Sequence, residues 1–381
     1  MVSLNHVKRF MTHPSARVRK FAGEYFANVN YQPPGLVDKV FAAVDALGED
    51  ECVELLVAAR AYEWTRPHWD RALDGLMRAS RTAADGILQG AGRQYSFLLL
   101  QAPPDYLLDH QDELLSQCCF STTQRQALMA FFDLPEVTPE TLCEQVLRSA
   151  CDPETAIGFN NVPFECGRFM ARQLAHLADQ DTVKETLRLC AAPDTAGSFL
   201  AYFMCEVLKG KHGVSLRPLV KFLATPAEPG NDAFLFAIRN TADAPLAKYM
   251  VSKATKAQRS SAPVVRRVLE ALDTVKDRCV CDFSLDMLRT SRSLEDRAYA
   301  YTCLVRMADE SSLSILKQGA QRQDYDLGFL DLESDLLVLS VLFDGDIGGE
   351  TAASRRLRET DRRDRAEAQR AEILARQLGF S

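Results

Sequence analysis

The apolar residues of this chain recur with the period of an α-helix along most of its length. Between residues 13 and 29 they fall at i, i+3, i+4, i+7, i+8 and i+11 and so share one helical face: Val18, Phe21, Ala22, Tyr25, Phe26 and Val29. The apolar residues before them predict a shorter helix: Leu4, Val7, Phe10 and Met11. The corner His13-Pro14-Ser15 separates the two helices. A helical hairpin with one apolar side needs neighbouring helices to cover that side.

Pro and Gly residues interrupt this period repeatedly and mark the corners between predicted helices. Examples are Gln32-Pro33-Pro34-Gly35, Pro67, Thr138-Pro139 and Pro163. The predicted helices are about 10 to 15 residues long and form pairs of about 35 to 40 residues, without a convincing series of alternating strands. We therefore predict an all-α fold, an α-solenoid of stacked antiparallel helix pairs. The alternative is an irregular all-helical globule, which belongs to the same fold class.

The corner of the first hairpin carries a known type of motif. In residues 13–22, HPSARVRKFA, a corner Pro precedes a Val-Arg pair and then a small residue, and this segment resembles the HEAT-repeat pattern. Residues 263–269 and 295–300 are looser matches. The resemblance implies an elongated right-handed superhelix whose concave face often holds a protein partner. Some HEAT-like proteins resemble phycobilin-lyase subunits and others bind DNA, so the resemblance favours a binding function.

The pattern changes near the C-terminus, and we predict two parts of the chain. Residues 1–343 form the HEAT-like helical repeat array, and residues 344–381 form a tail. The tail begins with Asp344-Gly345-Asp346-Ile347-Gly348-Gly349, a flexible acidic break, and continues as a charged helix over residues 351–378. Arginines alternate with acids in that helix at spacings that favour a solvated helix with i, i+4 pairs: Arg355, Arg356, Arg358, Arg362, Arg363 and Arg365.

Composition and charge restrict the class of protein. A hydrophobic content of 47% and a charged content of 25% are typical of a folded soluble protein, and a net charge of -7 disfavours binding of nucleic acid or anionic membrane over the whole surface. The N-terminal residues lack the apolar run of a secretory signal, and no stretch reaches about 18 consecutive apolar residues. The eleven cysteines are scattered among apolar positions. We therefore predict a cytoplasmic protein without a membrane contact.

The common motifs of metal sites and catalysis are missing from the sequence. Cys118-Cys119 and Cys279-Val280-Cys281 lack the second pair of ligands that a structural zinc site needs. A calcium loop beginning at Asp344 would need Glu at its twelfth position, where the chain has Arg355. The sequence also contains no Gly-rich phosphate loop, G-x-S-x-G elbow or H-E-x-x-H helix. We predict no metal, no cofactor and no catalytic residue, and a non-enzyme is the favoured interpretation.

A basic stretch is the first candidate binding feature. From residue 244 to residue 269 the chain contains no acid but six cations: Lys248, Lys253, Lys256, Arg259, Arg266 and Arg267. On a helix, a corner and the next helix they would form a patch for phosphate, nucleic acid or an acidic partner. Tyr249 is the one aromatic residue of this stretch that could stack on a base, so the sequence gives little support for binding of single-stranded nucleic acid. The alternative is a solvated ridge that neighbouring repeats neutralise.

A second candidate lies where both tryptophans of the chain occur. Within residues 62–69, YEWTRPHW, Trp64, Arg66 and Trp69 are residue types that concentrate at the energetic centres of protein interfaces. The alternative is that a tryptophan next to a helix corner forms a wedge between repeats.

These observations lead to three hypotheses from different classes. The leading hypothesis is a cytoplasmic HEAT-like scaffold or adaptor that binds a protein partner without catalysis. The second is a helical-repeat protein that contacts nucleic acid through the basic stretch between Lys248 and Arg267. The third is an enzyme of the lyase-subunit or DNA-repair type, which needs a cleft with converging polar groups.

Overall fold

The computed structural model describes residues 2–27, 32–157, 161–209, 214–224, 233–235, 237–239, 243–257, 262–273 and 275–377. Helices make up 76% of the structure, and the described residues contain no strand. The prediction of an all-α fold is therefore confirmed, whereas the stacking of the helices as a solenoid stays a prediction. None of the described helices combines the length and the apolar content that a bilayer crossing requires. None of the eleven cysteines, all of which lie in the described residues, forms a disulfide.

The α-helices of the N-terminal half follow one another with short connections. They are α1 (Leu4–Lys8), α2 (Ala16–Ala27), α3 (Leu36–Leu47), α4 (Val53–Ala59), α5 (Arg66–Thr82), α6 (Gly90–Leu99), α7 (Pro104–Asp109), α8 (Gln111–Ser116), α9 (Thr122–Phe132), α10 (Pro139–Cys151) and α11 (Val162–Leu177).

The described C-terminal half continues in the same way. Its α-helices are α12 (Gln180–Cys190), α13 (Phe199–Leu208), α14 (Arg217–Val220), α15 (Ala244–Ala257), α16 (Ala262–Leu272), α17 (Arg278–Thr290), α18 (Leu294–Met307), α19 (Leu313–Arg322), α20 (Leu332–Asp344) and α21 (Ala352–Gln377). Short 3-10 helices accompany them at Arg9–Thr12, Asp50–Cys52, Ala84–Gly86, Pro153–Ile157, Lys221–Ala224 and Glu310–Ser312.

The described residues divide into two compact units. Unit 1 combines residues 2–27 and 32–62 with residues 287–377, and unit 2 contains the described residues between 63 and 286. Unit 1 is thus built from two distant parts of the sequence. The boundary predicted after residue 343 stays a prediction, but the tail helix α21 packs on α2 and α20 within unit 1.

The apolar face predicted for α2 forms part of the core of unit 1. Val18, Ala22, Tyr25 and Phe26 are buried and Phe21 is half-buried, while Val29 lies outside the described residues.

Helix α2 also packs closely on α4. A Cβ atom added at Gly23 would lie 3.0 Å from the Cβ of Ala58, so glycine permits this approach. The hydroxyl of Tyr62 donates a hydrogen bond of 2.7 Å to the Gly23 carbonyl. The prediction that the first hairpin needs neighbouring helices is therefore confirmed.

Arg19 holds the corner before α2 against α4, although it is a charged residue and is fully buried. Its Nη1 donates to the carbonyls of His13 at 2.8 Å and Pro14 at 3.0 Å. Its Nε donates to Glu54 Oε1 at 2.8 Å, and its Nη2 donates to the Glu51 carbonyl. Because a buried charge is costly unless it is paired and hydrogen-bonded, these acceptors explain why an arginine is tolerated here.

The tail helix α21 supplies the polar partner for the start of α2. Asp361 Oδ2 accepts hydrogen bonds from Ser15 Oγ at 2.7 Å and from the Ala16 backbone N–H at 2.9 Å. A carboxylate at this position satisfies an unpaired N–H of the first helical turn and interacts favourably with the helix dipole. Arg17 on the same turn forms ion pairs with Asp361 at 3.5 Å and Asp364 at 2.6 Å.

His13 connects this contact to the start of α21. His13 Nδ1 accepts a hydrogen bond of 3.0 Å from the Ser15 N–H, so a neutral imidazole carries its proton on Nε2. That Nε2 lies 3.3 Å from Ser354 Oγ, and Ser354 Oγ donates to Asp346 Oδ2 at 2.6 Å. Asp346 also accepts from the backbone N–H groups of Glu350 and Thr351 at 2.9 and 2.8 Å. We call the five residues of this network the clasp: His13, Ser15, Asp346, Ser354 and Asp361.

The order of hydrogen bonds in the clasp indicates a structural role. The serine donates to the aspartate and accepts from the histidine, whereas a nucleophilic serine donates its proton to the histidine. Burial lowers the pKa of His13, which favours the neutral form that this network needs. Burial also acts to raise the pKa of Asp346, but its hydrogen bonds outweigh that effect and hold the pKa well below its usual range.

The clasp changes the interpretation of the tail. Ser354, Leu357 and Asp361 form a buried face, so the first half of α21 is not the solvated helix that its charge pattern predicts. Residues 365–371 are exposed, as predicted. The acidic break between α20 and α21 is organised by the hydrogen bonds of Asp346.

In unit 2, helix α11 lies against α9, α10 and α13. Aromatic residues fill these contacts: the ring centroids of Phe131 and Phe169 are 5.6 Å apart, and those of Phe164 and Phe203 are 5.4 Å apart. A Cβ atom at Gly167 would lie 2.5 Å from the Phe203 ring, so α11 and α13 approach closely at this glycine.

Candidate binding surfaces

The structure brings both tryptophans together at the start of α5. Thr65 caps this helix in a capping box with His68. Trp64 stacks on Trp69 with ring centroids 4.6 Å apart and an interplanar angle of 22°. Trp69 is buried and Trp64 is half-buried, so Trp64 is the accessible ring of the pair.

Arg66 extends from the same helical turn to α7. Its Cζ atom lies 5.6 Å from the centroid of the Tyr106 ring, and its Nη2 lies 2.7 Å from Asp109 Oδ2. The Tyr106 ring is itself 6.4 Å from the ring of Trp69. The three predicted interface residues, Trp64, Arg66 and Trp69, are therefore neighbours in space. We call them, with Tyr106 and Asp109, the tryptophan cluster.

Most of the tryptophan cluster serves helix packing. Trp69 on α5 and Tyr106 on α7 are buried with their ring centroids 6.4 Å apart, whereas a wedge between repeats stays a prediction. Arg66 and Asp109 are both more than half exposed, and solvent screening makes such a pair contribute little to stability. An interface role for Trp64 and Arg66 stays a prediction.

The basic stretch forms a surface on α15. Lys248, Lys253 and Lys256 are exposed on this helix. Two cations lie near the ring of Tyr249: Lys253 Nζ is 5.4 Å from its centroid and Arg217 Cζ is 5.1 Å from it. Each cation is attracted to the electrons of the ring. We call Arg217, Lys248, Tyr249, Lys253 and Lys256 the basic surface.

The other predicted cations are placed differently. Arg266 and Arg267 lie on α16 and are half-buried, so they are not part of the exposed row on α15. Arg259 lies outside the described residues. The sequence interpretation also missed Arg217, which lies on α14 and outside the acid-free stretch.

An acid lies near one end of the basic surface. Hydrogen bonds with Cys279 lower the pKa of Asp277, and the charge of Lys248 adds to this effect. In contrast, Arg217, Lys253 and Lys256 form no ion pair with the carboxylates that the structure describes. These three cations therefore remain available to an anionic group from outside the chain.

Within the described ranges, no three His, Cys, Asp or Glu side chains are grouped to hold a metal ion. Comparison with known proteins found no matching family model, no matching curated protein and no matching solved structure. The HEAT-like resemblance therefore depends on the residues of the motif itself, and the candidate function depends on the surfaces.

Proposed function

We propose that this protein is a non-catalytic binding scaffold that takes an acidic segment of a protein partner on its basic surface. The observation that carries the proposal is the pair of cations, Arg217 and Lys253, that lie 5.1 and 5.4 Å from the centroid of one tyrosine ring. Two further exposed lysines, Lys248 and Lys256, lie on α15 together with Lys253. HEAT-like stacking of the helices and a cytoplasmic location are parts of the same proposal.

Charge and ring geometry favour an acidic protein segment over a nucleic acid. The chain has a net charge of -7, so a long polyanion that extends past the basic surface is repelled. Tyr249 already contacts two cations, and base stacking would have to displace at least one of them. A short acidic segment needs only the few charges that this surface presents.

Fluorescence anisotropy of a labelled acidic peptide of ten glutamates, added to the full chain, tests this proposal. We expect binding at about 50 mM salt that weakens steadily towards about 300 mM, because salt screens exposed charges. The double variant Lys253→Glu and Lys256→Glu should weaken binding by about tenfold or more, because reversed charges repel the peptide.

The matched control reverses two exposed cations elsewhere in unit 2. Lys184 and Arg188 on α12 pair only with acids three residues away on their own helix. Their reversal to glutamate changes the net charge equally and should leave peptide affinity within about twofold.

Two outcomes contradict the proposal. Binding that is equally weakened in both double variants would mean that only net charge matters. Tighter binding of a DNA or RNA oligonucleotide of equal charge, lost with the Lys253 and Lys256 reversals, would instead favour the nucleic-acid hypothesis.

A further inference from the structure

Unit 2 contains a second group of cations, which lies between α11 and α13 and is separate from the basic surface. Its centre is Glu206, a buried carboxylate on α13. Lys209 Nζ lies 2.9 Å from Glu206 Oε1, Arg168 Nε lies 3.3 Å from the same oxygen, and Arg172 Nε lies 3.5 Å from Oε2. We call these four residues the Glu206 cluster.

The charges of the Glu206 cluster do not balance. Three cations surround one carboxylate, and this leaves two positive charges. Burial acts to raise the pKa of Glu206, but the charges of Lys209, Arg172 and Arg168 outweigh it and hold the pKa well below its usual range. Glu165 acts on both guanidiniums only at longer range, since no ion pair joins it to either of them.

The two guanidinium groups have donors to spare. Arg168 and Arg172 approach Glu206 through Nε, and none of their Nη atoms has an acceptor among the described residues. Their side chains are 34% and 17% exposed, and that of Lys209 is 29% exposed, so solvent reaches all three cations in part.

The sequence places both guanidiniums on one side of α11. Arg168 and Arg172 are at i and i+4, where like charges repel unless an anion lies between them. The planar Nη fork of arginine matches two oxygens of a phosphate group, and a lysine amine adds a point charge. Burial lowers the pKa of Arg172, although the charge of Glu206 acts in the opposite direction, whereas the pKa of Arg168 is raised.

We propose that Arg168, Arg172 and Lys209 bind the phosphate group of a small molecule. A phosphate that carries two negative charges balances the two positive charges of the Glu206 cluster. Glu206 is the internal anion that keeps the three cations together when no ligand is bound. The limited exposure of the cations favours a small ligand over a phosphate carried by another protein.

The test uses the full chain in a phosphate-free buffer with inorganic phosphate as the probe. Phosphate should raise the melting temperature of unit 2 more than sodium chloride of equal ionic strength, because a ligand that binds only the native state stabilises it. Tryptophan fluorescence follows unit 2 specifically, since Trp64 and Trp69 both lie in it. Phosphorus NMR line broadening gives the affinity.

The variant Glu206→Gln distinguishes a ligand site from a purely structural cluster. It removes the competing internal anion, so we expect phosphate to bind about tenfold more tightly and to restore stability that the variant loses in chloride. If the cluster is only structural, the variant loses stability and phosphate restores no more of it than chloride does.

The variant Arg168→Gln covers the case in which Glu206→Gln fails to fold. It leaves Glu206 with two cations and should weaken phosphate binding by about tenfold, because one guanidinium fork is lost. Wild-type protein without any phosphate-dependent shift contradicts the inference, and so does an Arg168→Gln variant with wild-type affinity.

The Lys253→Glu and Lys256→Glu variant separates this inference from the proposed function. It should keep the full effect of phosphate, and loss of the effect in this variant would move the ligand to the basic surface and overturn the inference. A phosphoserine peptide that stabilises the chain where inorganic phosphate does not would overturn it as well.

Discussion

The clasp of unit 1 and the Glu206 cluster of unit 2 are both polar groups that join helices around a buried carboxylate, yet their hydrogen bonding differs. In the clasp, each donor that faces a carboxylate has an acceptor at normal distance, from Ser15 to Asp361 and from Ser354 to Asp346. In the Glu206 cluster, three cations share one carboxylate and the guanidinium forks lack acceptors among the described residues.

This difference separates a structural network from a candidate ligand site. A fully satisfied network gains from the low dielectric constant of the interior and fixes one arrangement of the helices. Cations that lack acceptors are costly in the same environment, unless an anionic ligand completes the network. Satisfied hydrogen bonding, and not burial, is therefore the feature that distinguishes the two.

The largest effect is expected when the shared carboxylate of the Glu206 cluster is removed. Glu206→Gln should lower the free energy of unfolding of unit 2 by about 3 kcal/mol in phosphate-free buffer, because three partly buried cations lose their partner. Urea unfolding followed by tryptophan fluorescence measures this loss. Glu165→Gln on α11 is the control and should cost less than about 1 kcal/mol, since Glu165 forms no close ion pair with the cluster.

Breaking the clasp should have a slightly smaller effect. Asp361→Ala leaves the Ser15 hydroxyl and the Ala16 N–H without their acceptor and should destabilise unit 1 by about 2 kcal/mol. Hydrogen exchange of peptides from α2 and α21 should become faster in both helices together. Asp364→Ala is the control, because Asp364 is more exposed and its ion pairs are with the side chains of Arg17 and Arg363. Equal acceleration in both variants would contradict the special role of Asp361.

Removal of the charge of Asp335, a half-buried acid on α20, should raise stability instead. Burial and the charge of Asp331 raise the pKa of Asp335 to about 6. A raised pKa in the folded state means that the protonated carboxyl is favoured there and the ionised carboxylate is destabilising. The free energy of unfolding therefore falls as the pH rises through about 6. Asp335→Asn should therefore stabilise unit 1 by about 1 kcal/mol at pH 7.5, with no gain near pH 4. The exposed Glu333→Gln on the same helix should show no such pH dependence.

The smallest effect is expected from acid titration of the clasp. Burial lowers the pKa of His13, so the unfolded chain takes up a proton first as the pH falls below about 6.5, the usual value for histidine. The stability that neutral His13 contributes is therefore present above that pH and is lost as the pH falls towards the lowered pKa.

The background variant Asp335→Asn isolates this titration, because Asp335 changes stability in the opposite direction over the same range. In that background, exchange of the α2 peptide between pH 7 and pH 5, corrected for intrinsic rates, should accelerate more with His13 than with His13→Gln. Equal acceleration would show that His13 does not control the clasp.

The helices were predictable from the sequence because the spacing of apolar residues and the corner prolines that define each helix lie within that helix or next to it. The period of Val18, Ala22 and Phe26 alone places α2 and its buried face. The corner prolines predict where helices begin, as Pro139 does for α10.

The buried charge networks were not predictable in the same way. The sequence alone predicts Arg19 as a surface residue, because its acceptors, Glu54 and the corner carbonyls, become visible only in the fold. Asp361 accepts a hydrogen bond from Ala16, which lies 345 positions away in the sequence. The i, i+4 pair Arg168 and Arg172 was visible on α11, but its partner Glu206 lies on another helix. On the basic surface, the lysines of α15 were predictable, whereas Arg217 joins them only through the fold.

The divided sequence of unit 1 has a consequence for the order in which the protein is made. Unit 2 lies between residues 63 and 286 and has all of its own partners once that stretch has left the ribosome. The start of α2 emerges first, but its acceptor Asp361 follows 345 positions later than Ala16. The nascent N-terminal hairpin therefore lacks this cap through most of translation, and we expect it to reach its final packing only after α21 has been made.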